Sequence, residues 1–186
     1  MTTDNLFIPD NIPDSAKMLS SEKYAWLAYL LVVPILAIAY AGIVIRRPYV
    51  VGIAFNKIAF FIGVGLSIVF LVVHELIHAL CCPRDTTVFV YLTSAGIGCV
   101  PARGLKKNRY LLVALMPTIV LGVIPFIIWI CFPGMNVIIS SILFAFSIGS
   151  LSMCVGDIYK AFLAALKMNR RSVLVTSKTD IYYYNE

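Results

Sequence analysis

The stretch from Ile58 to His78 reads IAFFIGVGLSIVFLVVHELIH, and it decides the fold. Its first part, Ile58 to Val73, carries no charge, and then His74, Glu75 and His78 arrive together. These are the only two histidines of the chain. An apolar run of this kind has the composition of a membrane-crossing helix. Burying two imidazoles and a carboxylate at membrane depth is costly, so ionisable residues there point to function. On a helix, residues four apart share a face, so both imidazoles can address one metal ion, with Glu75 beside them. The competing reading is a packed helix whose histidines are satisfied by hydrogen bonds. Two histidines and nine acids among 186 residues make a chance match in an apolar run costly.

Composition agrees with a membrane setting. The chain is 61% hydrophobic and 13% charged, with a mean hydropathy of +0.93. An integral membrane protein follows, since a soluble domain of this size has no use for so much apolar surface. The net charge of +6 does not mark a nucleic-acid binder, because the basic residues flank apolar segments and form no single patch. Five cysteines, odd in number and without a CxxC pair, indicate packing residues and no disulfide framework.

The opening MTTDNLFIPDNIPDSAK has three aspartates, two prolines and no basic leader, so it is not read as a signal peptide. The expected organisation is a cytoplasmic segment over 1–23, a membrane-embedded domain over 24–166 and a polar tail over 167–186, loosely ordered from Asn169. Four segments are long enough to span: Tyr24–Ile45, Ile53–Cys82, Tyr110–Phe132 and Val137–Leu166. The second and fourth exceed the minimum and should tilt or project. Twelve Lys and Arg fall on the side of the termini against three on the other, which places both termini in the cytoplasm. The fold class is therefore all-α integral membrane, with about four transmembrane helices and a short β-hairpin or strand between the second and third. That strand is Thr86–Leu92, rich in β-branched and aromatic residues, followed by a second at Gly96–Pro101. An interfacial loop is the alternative. As an exposed edge strand, its residues Phe89, Val90 and Tyr91 are candidates to bind an extended peptide substrate. Pro117 and Pro125 either kink a packed third helix or loosen a gate.

His74-Glu75-Leu76-Ile77-His78 matches HExxH, in which two histidines hold zinc and the glutamate serves as general base in zinc-dependent peptidases. A catalytic zinc needs three protein ligands and an open position. Cys81 and Cys82 follow too closely: at ~1.5 Å rise per residue, either lies ~10–12 Å along the axis from His74. Of the acids, only Glu75 and Asp157 fall within apolar spans. Asp157 is thus the candidate third ligand, and a salt bridge to Lys160 is the competing use for it. Small residues line both relevant helices, Gly63 and Ser67 on one and Ala145, Gly149, Ser152 and Gly156 on the other, a pattern that permits close approach.

HELIH in one apolar helix and Gly156-Asp157-Ile158-Tyr159 in a later one resemble the site-2 protease-like intramembrane metalloproteases. They are closer still to a group of small prokaryotic membrane proteins classed as zincin peptidases. The resemblance covers roughly 53–166. It implies one zinc per chain held by His74, His78 and Asp157, with Glu75 activating water, and a membrane protein or peptide as substrate. The sequence departs from the better-known members in reading Gly-Asp-Ile at Asp157, without an Asn- and Pro-containing approach, and in having no PDZ-like domain. The expected function is a zinc endopeptidase acting within or at the surface of a prokaryotic cell membrane. An intramembrane metal transporter or channel, or a non-catalytic metal-binding subunit, are the rivals. The oligomeric state and the physiological substrate are not encoded in any motif.

Overall fold

The computed structural model describes residues 12–49, 55–93, 96–177 and 180–185, with side chains for all of these except 22, 91–93, 96–97 and 177. The expected start of the second span at Ile53, residues 1–11 of the N-terminal segment and Lys178 lie outside the described residues. The chain is mostly helical with a few strands. Strand β1 (Lys17–Ser20) precedes a 3-10 run (Glu22–Leu31) that leads into α1 (Val32–Arg46). Helices α2 (Lys57–Val69) and α3 (Leu71–Cys81) follow, then β2 (Val88–Thr93), β3 (Gly96–Pro101) and β4 (Leu105–Lys106). Helix α4 (Lys107–Pro117) passes through a π-helical turn (Thr118–Val123) into α5 (Ile124–Cys131). The chain closes with α6 (Val137–Met153), α7 (Val155–Lys167), β5 (Ser172–Ser177) and β6 (Asp180–Asn185).

Two helical runs, Lys23–Tyr49 and Lys107–Cys131, are long and apolar enough to cross a membrane. Two bent pairs raise the number to four if each counts as one span: α2 with α3, bent by 41°, and α6 with α7, bent by 50°. The second and fourth segments are therefore broken, where the apolar pattern suggested long tilted helices. At both breaks one residue leaves helical geometry, Phe70 with ψ 0° and Cys154 with ψ 1°. Neither is Pro or Gly, so nothing in residue type announces the bend. Pro117 and Pro125 behave differently, since the third run continues through them. Pro117 lacks an N–H and crowds the preceding turn, and the helix widens into the π-helical turn directly after it. Pro125 falls in the first turn of α5.

The chain forms two units. One comprises Ala28–His74 and Pro117–Val155. Its aromatic core joins Ala39, Phe126, Trp129 and Phe144. Here α2 and α6 pack backbone against backbone. A Cβ on Gly63 would meet the Ile142 carbonyl oxygen at 2.5 Å, and one on Gly149 would collide with the Ser67 hydroxyl. The small-residue stripes read from sequence thus meet at Gly63 with Ala145 and at Ser67 with Gly149, while a Cβ on Gly156 would enter open space. Helix α2 starts where Asn56 accepts from the Ala59 N–H at 3.0 Å and its own N–H donates to Ser141 Oγ at 2.9 Å. Arg46 is buried: it donates to Ser140 Oγ and to the Phe132 and Pro133 carbonyls, and its guanidinium lies 4.5 Å from the Trp129 ring centre.

The other unit comprises Met1–Leu27, Glu75–Met116 and Gly156–Glu186. It contains an antiparallel sheet in the order β1-β6-β5-β4 and the separate hairpin β2-β3. The segment from Asn169, expected to be loosely ordered, supplies β5 and β6, paired from Ser172 with Asn185 to Ser177 with Asp180. Leu19, Leu174 and Ile181 from three of the strands pack on Ala164 and Met168 at the end of α7. A fold class that is helical apart from one hairpin is therefore incomplete. The four-stranded sheet is local neither in sequence nor in composition, because its edge strand β1 pairs with β6 across almost the whole chain.

Candidate metal centre

Helix α3 is inverted relative to a helix of a water-soluble protein. Its polar side is buried, with His74 6% and His78 8% exposed. Its apolar side faces out through Val72, Leu76 and Leu80. The i, i+4 spacing sets both imidazoles on the buried stripe, as helix geometry requires. Asp157 comes from the first turn of α7, directly after the break at Cys154. The partial positive charge of a helix N-terminus complements an acidic side chain in that first turn.

The hydrogen bonds define how the rings are presented. His78 Nδ1 lies 2.8 Å from the main-chain carbonyl oxygen of Val113. A carbonyl only accepts, so Nδ1 is the protonated nitrogen and Nε2 of the neutral ring keeps its lone pair. That Nε2 is 3.3 Å from Asp157 Oδ2. Two acceptors facing one another require a cation between them, either a proton on Nε2 or a metal ion. His74 favours the metal. One ring nitrogen from each histidine and one Asp157 oxygen all lie within 4.8 Å of one another, and His74 and His78 are buried. Three donors converging on one point fit a small cation with N and O ligands, as zinc accepts. His74 Nδ1 itself is 3.5 Å from the Cys154 sulfur.

Glu75 is half-buried, next to His74 on α3. The hairpin lies in the same electrostatic neighbourhood. Burial first, and then the nearby Cys82, Glu75 and Asp157, together push the Cys99 thiol up to about 12. Cys99 is the partner of Val90 in the β2-β3 register. Val90 is exposed and Phe89 half-buried, while the Tyr91 side chain lies outside the described residues. Cys81 and Cys82 contribute no donor to the group; Cys82 packs with Leu105 and Val113. The Val113 carbonyl and the Cys154 sulfur were not legible in the sequence. A main-chain acceptor has no residue signature, and an apolar-run cysteine reads as packing.

A family model described as "Putative zincin peptidase" matches residues 67–173, so the chain belongs to that family. The match includes α3 and Asp157. Comparison with curated proteins found no match, and comparison with solved structures found none. Family membership points to metallopeptidase activity and to zinc as the metal.

Proposed function

We propose that the chain is a zinc metallopeptidase of site-2 protease-like type, hydrolysing peptide bonds of membrane-associated substrates within the membrane or at its surface. The observation that carries this reading is the convergence of His74, His78 and Asp157 with Glu75 one residue from the first ligand. His74 and His78 would hold the ion through imidazole nitrogens and Asp157 through a carboxylate oxygen. When bound, zinc acidifies water and polarises the scissile carbonyl. Glu75 takes the proton of the attacking water and returns it to the departing amine. Apolar outer faces on α1, α2 and α3 keep these groups in a setting where a carboxylate base is held close to its task and bulk water is scarce.

Substrate binding falls to β2. Strands β2 and β3 form a two-stranded sheet of their own, and an extended peptide can add to the edge of such a sheet as a further strand. Phe89, Val90 and Tyr91 would then contact alternate substrate side chains. The partners are the lipid bilayer and a membrane protein or peptide. Both termini are cytoplasmic in this reading, with the turn between α5 and α6 outside. Labelling an engineered cysteine at Asn136 only from the cytoplasmic side would reverse that orientation.

The test is cleavage of a transmembrane peptide by purified protein in detergent. Chelation should stop it and zinc should restore it. Glu75→Gln should lower the rate by about 10²–10⁴-fold, the usual worth of a general base, with zinc retained. Undiminished cleavage by Glu75→Gln would refute the mechanism.

A further inference from the structure

Both histidines meet a hydrogen-bonding group at Nδ1. For His78 this is the Val113 carbonyl, which fixes the tautomer. For His74 it is the sulfur of Cys154, at 3.5 Å. We infer that Cys154 is a positioning residue of the metal centre, its sulfur accepting the Nδ1 proton of His74 so that Nε2 is turned to the metal. The inference rests on the metal reading above and names the part of it that orients His74.

Three features support it. First, Cys154 is fully buried and His74 nearly so, and a hydrogen bond shielded from water orients a ring more firmly than an exposed one. Second, the sulfur is carried at the end of a helix. Cys154 is the residue at which α6 ends, with its N–H 3.1 Å from the Ser150 oxygen and 3.2 Å from the Leu151 oxygen. The backbone that carries the sulfur is therefore set by the break itself, and Asp157 follows three residues later. Third, the sulfur stands outside the convergent donor set, which consists of His74, His78 and Asp157. It acts on a ligand's far nitrogen and is not itself a ligand.

A thiol is a weak acceptor beside a carbonyl or carboxylate. It can still hold the His74 tautomer. Outer partners of this kind change metal affinity by about 10–100-fold when removed.

The experiment is zinc affinity of the purified full chain in detergent, by chelator competition, for wild type, Cys154→Ala and Cys154→Ser. Cobalt absorption spectra are recorded alongside. Cys154→Ala should bind zinc about 10–100-fold more weakly. Cys154→Ser, which restores an acceptor, should recover most of that loss. The cobalt-loaded wild type should show no thiolate-to-metal charge-transfer band. Equal affinity in wild type and Cys154→Ala would overturn the inference, as would Cys154→Ser behaving like Cys154→Ala. A thiolate band in wild type that Cys154→Ser loses would overturn it by making Cys154 a ligand. Wild type that binds no zinc would overturn the metal reading itself, a result distinct from the others.

Discussion

Both units of this chain bury apolar side chains, but the unit built on α2 and α6 also buries a set of serine hydroxyls. In the unit built on α2 and α6, the interior holds Ser140, Ser141, Ser147 and Ser67, and the outer faces carry Phe61, Val69, Val33 and Leu36. In the unit built on the β1-β6-β5-β4 sheet, the interior is Leu19, Leu174, Ile181 and Met168. The first pattern suits lipid, where apolar surface outside costs nothing and helices associate through close backbone packing. The second pattern suits water, where burying apolar surface drives folding. Helix α3 contributes to both units, the division falling between His74 and Glu75.

Mutations can break or sharpen this contrast. The largest stability effect is expected in the water-type core: Leu174→Ala should cost about 2–5 kcal/mol, read as a lowered unfolding midpoint. Next comes the close helix pair. At Gly63 a Cβ would meet the Ala145 Cβ at 2.8 Å, so Gly63→Leu should cost about 1–3 kcal/mol through overpacking. A smaller, functional effect is expected in the hairpin. Phe89→Pro or Val90→Pro deletes a possible ladder donor and should reduce peptide cleavage severalfold while zinc content stays at the wild-type level. Unchanged turnover in both would separate the hairpin from substrate binding. The smallest effect belongs to Gly65, two residues from Gly63 on the same helix. A Cβ there meets nothing within 4 Å, so Gly65→Ala should stabilise by roughly 0.5–1 kcal/mol through helix propensity alone. Equal penalties at Gly63 and Gly65 would contradict the packing account.

Legibility in the sequence followed the range of the interaction. The His74 and His78 stripe was readable because a helix fixes i, i+4 neighbours whatever the tertiary fold. Asp157 stood out because an acid inside an apolar run needs a partner, and the structure places it beside His78. The β2-β3 hairpin was readable from its β-branched residues and glycines, and its pairing from Val88 with Pro101 to Thr93 with Gly96 agrees. The order of the tail was not legible because its strands Ser172–Ser177 and Asp180–Asn185, each mixing polar and apolar residues, gain order from pairing with each other and with Lys17–Ser20, far away in the chain. The bends at Phe70 and Cys154 left no mark, since each depends on one residue of ordinary type changing ψ. Arg46 looked like a flanking charge and is instead held by Ser140 and two carbonyls.

The central claim is that His74, His78 and Asp157 hold one metal ion. The most direct measurement is zinc content of purified wild type, His78→Ala, Asp157→Ala, Asp157→Asn and Lys160→Ala in the same detergent. Wild type and Lys160→Ala should retain about one zinc per chain, as a three-ligand site implies. His78→Ala and Asp157→Ala should both lose most of theirs, with lowered thermal stability, because metal binding contributes to folding free energy. Full zinc in Asp157→Ala and Asp157→Asn would contradict the account and return Asp157 to a pairing role with its neighbours.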